Sequence, residues 1–274
     1  MRLLRLAFVC SVFVGVVAAQ TPTINQNGTV NGASYQAPNP PGSLVVAFGT
    51  NLASKTLVAS STPLTMQLQN TTDDVSVTIN GKPAPMFYVA PAQLSVQIPW
   101  AAPTSGSVAI VVTRNGKQSA PVQIPMGAFS PGIFTVSNNG QGMAWAINGV
   151  TGKVAQPAGS IAGVANVGPA AVGDHLFLYA VGLGPVNPAI ADGHAPCPLA
   201  GCPANAVLSK TTNTPTVLVG GVQAKVEFSG LAPQFVGVYQ VNFQVPAGVP
   251  TGNQVSLQVK IGGVNSNMVT LAIQ

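Results

Sequence analysis

Apolar and polar residues alternate with a period of two along most of this chain. Val75, Val77 and Ile79 alternate with Ser76 and Thr78, and Leu94, Val96 and Ile98 with Ser95 and Gln97. Val241, Phe243 and Val245 alternate with Asn242 and Gln244, and Val255, Leu257 and Val259 with Ser256 and Gln258. Side chains on a strand point alternately to its two faces, so each run predicts a strand with one buried and one wet face. Asn80-Gly81, Asn115-Gly116, Gly220-Gly221 and Gly262-Gly263 punctuate the runs. Such pairs take the positive φ of tight hairpin turns. No window sustains the 3.6-residue period of an amphipathic helix, so the pattern predicts an all-β protein.

The pattern also repeats. Gly42 to Leu52 runs parallel to Gly173 to Leu183, 131 residues later. Ile79-Asn-Gly81, Ala84 and Tyr88 match Val219-Gly-Gly221, Ala224 and Phe228 at an offset of 140. Gln93 to Pro99 matches Gln240 to Pro246 at 147, an offset that also carries Pro103, Gly116 and Ser119 onto Pro250, Gly263 and Ser266. Each step in offset marks an insertion in the second copy, one within 184–216 and one within 229–239. Seven or so short strands per copy predict two tandem immunoglobulin-like β-sandwich domains joined by a hairpin-containing linker. The expected boundaries are a leader at 1–19, domain 1 at 20–136, a linker at 137–163 and domain 2 at 164–274. The linker hairpin has a strand at Met143–Ile147, a turn at Asn148-Gly149 and a return at Gly152–Gln156. It shows no counterpart in the repeat. Packing between the domains and extending an edge sheet are both open to it.

The leader reads as a secretory signal peptide. Arg2 and Arg5 precede an apolar stretch from Leu6 to Val17, and Ala18-Ala19 precede Gln20. This predicts cleavage after Ala19 and a secreted or cell-envelope location. Cleavage lowers the formal net charge from +5 to +3. No later stretch is long and apolar enough to span a membrane.

Composition narrows function by exclusion. Charged residues are 5% of the chain, against about 25% in an ordinary domain. The remaining Lys and Arg are scattered, which excludes a nucleic-acid footprint. Five acids and two His leave little for acid–base catalysis, and no Gly-x-Ser-x-Gly elbow occurs. Asp73 and Asp74 are neighbours, but adjacent strand residues face opposite ways. The expectation is a protein that is not an enzyme, with no cofactor and no metal.

Several motifs carry a family resemblance. Gly182-Leu-Gly-Pro185, Val219-Gly-Gly-Val-Gln-Ala224, Phe228-Ser-Gly-Leu-Ala-Pro233 and Val238 to Pro246 resemble the immunoglobulin-like C-terminal domain of secreted acidobacterial proteins, the Solibacter-type domain. Pro83-Ala84-Pro85, Tyr88, Gln93 to Pro99 and Pro131-Gly-Ile-Phe134 are similar to the first half of the same unit. The chain is more loosely similar to IPT/TIG sandwiches. The resemblance implies an extracellular β-sandwich module and supplies no catalytic residues. With no propeller or enzyme ahead of the module, a free-standing role is expected.

Two chemical features remain. Cys197 and Cys202 sit in the first insertion, in Cys-Pro-Leu-Ala-Gly-Cys. Export predicts a disulfide between them. A metal site from Asp192, His194, Cys197 and Cys202 is the competing reading, at a spacing foreign to zinc modules. Phe48 aligns with Tyr179 and Tyr88 with Phe228, which predicts core rings. The unrepeated aromatics Trp100, Trp145, Tyr35 and Tyr239 stand apart, and Trp145 and Trp100 are the candidates for ligand contact. The functional expectation is a non-catalytic interaction or structural module, its partner a protein or polysaccharide of the envelope or extracellular space. The alternative is a carbohydrate-binding module using Trp145 and Trp100.

Overall fold

A computed structural model describes residues 20–197 and 201–274, so the expected signal peptide lies outside the described residues. The first copy is two stacked sheets. One orders Thr23–Asn31, Leu44–Thr50, Gln93–Gln97, Met86–Ala90 and Leu57–Val58. The other orders Lys117–Gln118, Ser107–Arg114, Asp74–Ile79 and Gln67–Gln69, with Val122–Pro125 and Lys82–Pro83 attached. Val45, Ala47, Val75, Val77, Leu94, Val96, Ile110 and Val112 fill the space between them. The second copy has the same layers, but its long strand Val222–Leu231 runs through both. Its start pairs with Thr216–Val219 and its remainder with Tyr239–Gln244. In the first copy Pro83 and Pro85 interrupt this strand at Ala84, since proline cannot donate to a ladder.

The repeat holds to the level of hydrogen-bond register. Leu44 faces Gln97 and Phe48 faces Gln93; their equivalents His175 and Tyr179 face Gln244 and Gln240. Ile79 faces Ile110, and Val219 faces Leu257. All four predicted turns close two-residue hairpins with φ between 48° and 83°, the signature of type I′ turns.

The region expected as a linker is different. Thr29, Val30 and Asn31 face Ala47, Val46 and Val45. Ala146, Ile147 and Asn148 face Leu178, Phe177 and Leu176, the equivalent positions of the second copy. Thr23 and Ile24 face Thr50 and Gly49, just as Gly132 and Ile133 face Val181 and Ala180. The hairpin's outgoing strand therefore has a counterpart: it continues the first strand of the second copy, while its return, Val154–Ala155, pairs in parallel with Val167–Gly168. The bulge at residues 25–28 of the first copy is enlarged to residues 134–145 in the second. Val30-Asn-Gly32 and Ile147-Asn-Gly149 even share their side-chain bonds. Asn31 Oδ1 accepts from the amides of Ala33 and Ser34 at 2.8 and 3.0 Å, and Asn148 Oδ1 from those of Val150 and Thr151 at 2.9 and 3.0 Å.

A low-charge β protein must protect its edges by other means. Here Leu57–Val58, Lys82–Pro83, Lys117–Gln118, Val167–Gly168 and Val264–Asn265 are outer or appended strands of two residues each. The longer outer strand Thr23–Asn31 is interrupted by its bulge. Val122–Pro125 and Val269–Ile273 are longer, and loop backbone bonds to their outer sides: Asn39 N donates to Pro125 O at 3.0 Å, and Ala144 N and Ala170 N donate to Thr270 O and Ala272 O at 3.0 and 2.9 Å.

Candidate functional site

The copies meet through directional bonds. Asn31 Nδ2 donates to Ser130 O at 2.6 Å, and Ser130 N to Gly182 O at 3.0 Å. The Asp192-Gly193 turn of the first insertion reaches into the first copy. Asp192 accepts from Trp100 N, Gly193 N donates to Gln97 Oε1, both at 2.7 Å, and Leu64 N donates to Gly193 O at 2.8 Å. Ala33 and Leu44 share an apolar cluster with Val181, Ala232 and Val238 across the junction.

Beside this junction opens a cleft of about 450 Å³. The first copy contributes Leu44, the loop from Ala59 to Leu64, and Phe87. The second contributes Tyr179 and two of its insertions: Phe134, Asn138 and Trp145 from the enlarged bulge, and Gln234 to Val238 from the later loop. Parts of all three enlarged segments thus lie against or beside the first copy: the Asp192-Gly193 turn at the junction, and residues of 134–145 and 234–238 in the cleft. Tyr179 and Phe235 cross at 67° with centroids 5.6 Å apart, and Phe177 crosses Tyr179 at 76°. Phe87 and Phe235 are 42% and 46% exposed, far more than core rings. Ser60, Ser61, Thr62, Asn138 and Gln234 are the uncharged polar residues of the lining besides Tyr179. Among the described residues no Asp, Glu, Lys, Arg or His lines the cleft. Burial pushes the Tyr179 phenol above its ordinary pKa, so it stays neutral.

The two expected contact residues part company. Trp145 lines the cleft, with its other side against Val154, Ile161 and Val167. Trp100 lies at the junction, against the second copy's core and over Gly42, where a Cβ would sit 2.2 Å from the indole. That close approach makes Trp100 a packing residue. The expectation of core rings at the repeated aromatic positions is also corrected. Val45 and Ala47 face the core, so Phe48 faces outward, half-buried against Tyr35 at 6.5 Å. Tyr179 and Phe228 are likewise half-buried, outside the second copy's core cluster. The unrepeated Tyr239 is the one in the core, fully buried with its hydroxyl donating to Gly184 O. The aromatics passed over in the sequence, Phe87, Phe134 and Phe235, are those that complete the cleft. Phe235 could have been found, since it lies in an insertion that the repeat had exposed.

The acids and His are dispersed. Asp73 pairs with Arg114, Asp74 with Gln67, Asp174 accepts from Ala171 N, and Asp192 from Trp100 N. His175 Nδ1 lies 2.9 Å from Glu227, and His194 Nδ1 lies 3.1 Å from Asp192 O of its own turn. Among the described residues no group of three or more His, Cys, Asp or Glu stands together to hold a metal. Cys197 and Cys202 form a disulfide with Cα atoms 5.0 Å apart. Cys197 N donates to Pro233 O at 2.7 Å, tying the first insertion to the loop that carries Phe235. With five residues of separation, chain-entropy reasoning gives this bond about 2 kcal/mol of stabilisation. A reductant or Cys202→Ser is expected to lower the urea midpoint accordingly, and an unchanged midpoint would refute it.

Residues 33–126, the first copy without most of its first strand, match the IPT/TIG domain family. In shape the chain is similar to the surface glycan-binding protein PbSGBP-B of Prevotella bryantii, at 11% identity and a TM-score of 0.27, over 92% of this chain and 42% of that one. It is similar to SGBP-B of the Bacteroides ovatus mixed-linkage glucan utilization locus, at 11% identity and a TM-score of 0.33, over 86% and 42%. Domains 5–6 of the S-layer protein SbsC compare at 12% identity and a TM-score of 0.26, over 92% and 98%. The chain spans less than half the length of the two glycan-binding proteins. No curated protein matches this chain in sequence. Among the described residues no helix is long and apolar enough to cross a membrane.

Proposed function

We propose that this protein is an exported, non-catalytic binding module whose recognition site is the cleft between its two copies. The observation that carries the reading is the convergence of two copy-specific insertions, with their aromatic side chains, on one preformed concavity. Exposed apolar surface of this kind marks interaction sites. In this reading the chain is a leader at 1–19 and two sandwich domains meeting at 127–131, related to the Solibacter-type domain. The partner belongs to the cell envelope or extracellular space, where the Cys197–Cys202 bond persists.

A second reading, polysaccharide binding, keeps its footing through Trp145, whose ring lies in the cleft. Trp100 no longer supports it. One experiment addresses both. Trp145→Ala is expected to abolish retention on whichever envelope fraction or polysaccharide resin holds the protein, while His194→Ala, on the exposed turn, leaves retention intact. Equal retention of both variants would remove the cleft from recognition.

A further inference from the structure

The ligand's chemistry follows from what the cleft wall offers. A charged group entering it would lose water and meet no counter-charge, because no ionised side chain is present. A sugar ring carries hydroxyls around its whole rim. Here Ser60, Ser61 and Thr62 of the first copy line the cleft opposite Trp145, Phe134, Tyr179 and Phe235 of the second. Asn138, Gln234 and the Tyr179 phenol are the polar groups among those rings, too few to replace the hydrogen bonds of hydroxyls around a whole rim. Rings approaching from different directions suit another ring, which can meet them edge-on and face-on. The volume of about 450 Å³ lies within the roughly 300–1,000 Å³ of small-molecule sites.

The walls are also held in place. Tyr179 stands on a central strand paired on both sides. The Phe235 loop is tethered through Pro233 to Cys197 and its disulfide. The Ala59–Leu64 loop is pinned by Leu64 N to Gly193 O. Little ordering remains to oppose binding.

We infer that the cleft takes a neutral, mainly apolar, ring-bearing small molecule with one or two hydrogen-bonding groups directed at Ser60–Thr62. This rests on the reading of the cleft as the recognition site. The test uses two probes that differ by one charge, N-phenyl-1-naphthylamine and its sulfonated analogue 8-anilinonaphthalene-1-sulfonate. The chain has two tryptophans, so Trp100→Phe leaves Trp145 as the sole indole reporter. The neutral probe is expected to quench Trp145 emission saturably, with the sulfonate at least roughly tenfold weaker. Phe235→Ser, at a half-exposed loop position that should not disturb folding, is expected to weaken the neutral probe by about tenfold. Circular dichroism checks that each variant is folded. A sulfonate that binds as well as the neutral probe would overturn the ligand class and leave the cleft as the site. So would soluble β-glucan oligosaccharides that perturb Trp145 when the neutral probe does not. If neither probes nor oligosaccharides alter Trp145 emission, both the ligand class and the cleft reading fall. A concentration-dependent Trp145 shift without ligand, with a doubled mass in light scattering, would assign the cleft to a second copy and overturn the inference.

Discussion

Asp73→Asn is expected to cost about 3–5 kcal/mol, the usual loss when one member of a buried ion pair is removed. The Asp73 side chain is fully buried and that of Arg114 is 15% exposed, with 2.8 Å between Nη2 and Oδ1. Arg114 Nε donates to the same carboxylate at 2.9 Å and Nη1 to Asn51 O at 3.1 Å. Ser54 donates to Asp73 from its backbone at 2.9 Å and from its hydroxyl at 2.5 Å. Without the carboxylate, a guanidinium is left under the 51–54 loop with no counter-charge. Desolvation alone would raise the Asp73 pKa, but the Ser54 bonds and Arg114 outweigh it and hold the value below the usual 3.8. The sign follows from that lowering. The pair stabilises in full above the unfolded-state value of 3.8 and weakens as pH falls through the lower folded value. The gap between wild type and Asp73→Asn in urea unfolding should therefore be widest near neutrality and close in strong acid. A neutral-pH gap under about 1 kcal/mol, the scale of a surface pair, would refute the account. The second copy indicates a rescue. It has no such pair: the exposed Asn213 and the buried Ile261 stand where the first has Asp73 and Arg114. Asp73→Asn with Arg114→Ile is expected to recover part of the loss, since no guanidinium is then left without a counter-charge.

The second large effect compares two glutamines with the same bond. Gln97 Nε2 donates to Gly42 O at 3.1 Å, and its equivalent Gln244 donates to Gly173 O at 3.2 Å. Gln97 is fully buried and its Oε1 accepts from Gly193 N of the other copy. Gln244 remains partly in solvent. Gln97→Ala orphans a carbonyl and an amide inside the junction, each costing about 1–3 kcal/mol, so the expected loss is about 2–5 kcal/mol. Gln244→Ala returns its carbonyl to water and should stay within about 0.5 kcal/mol. Equal losses in denaturant unfolding would mean that the junction does not couple the copies. Trp100 shows the same asymmetry. Its equivalent is Ala247, and Leu44 is matched by His175, so the second copy's corresponding surface is not built to receive another copy.

Much of this molecule was legible one residue at a time. Alternation of Val, Leu and Ile with Ser, Thr and Gln set the strands and their inward faces, because side-chain direction on a strand is local. Asn-Gly and Gly-Gly set the turns, because only such residues take positive φ in succession without strain. Two copies with rising offsets set the register, because equivalent runs bury equivalent faces. The first strand of the second copy escaped this reading. Residues 134–145 divide it, and its Ile147-Asn-Gly149 lies only 117 residues from Val30-Asn-Gly32, behind the offsets that the rest of the repeat sets. Parity also placed Phe48 and Tyr179 outward, although their apolar character had drawn them into the expected core. The site itself was decided by tertiary structure alone. Sequence treats Trp145 and Trp100 as equals, and Gln97 and Gln244 as copies. Their fates diverge because three segments far apart in the chain meet the first copy on one side. Burial and orphaned hydrogen bonds are properties of that meeting, and no local period records them.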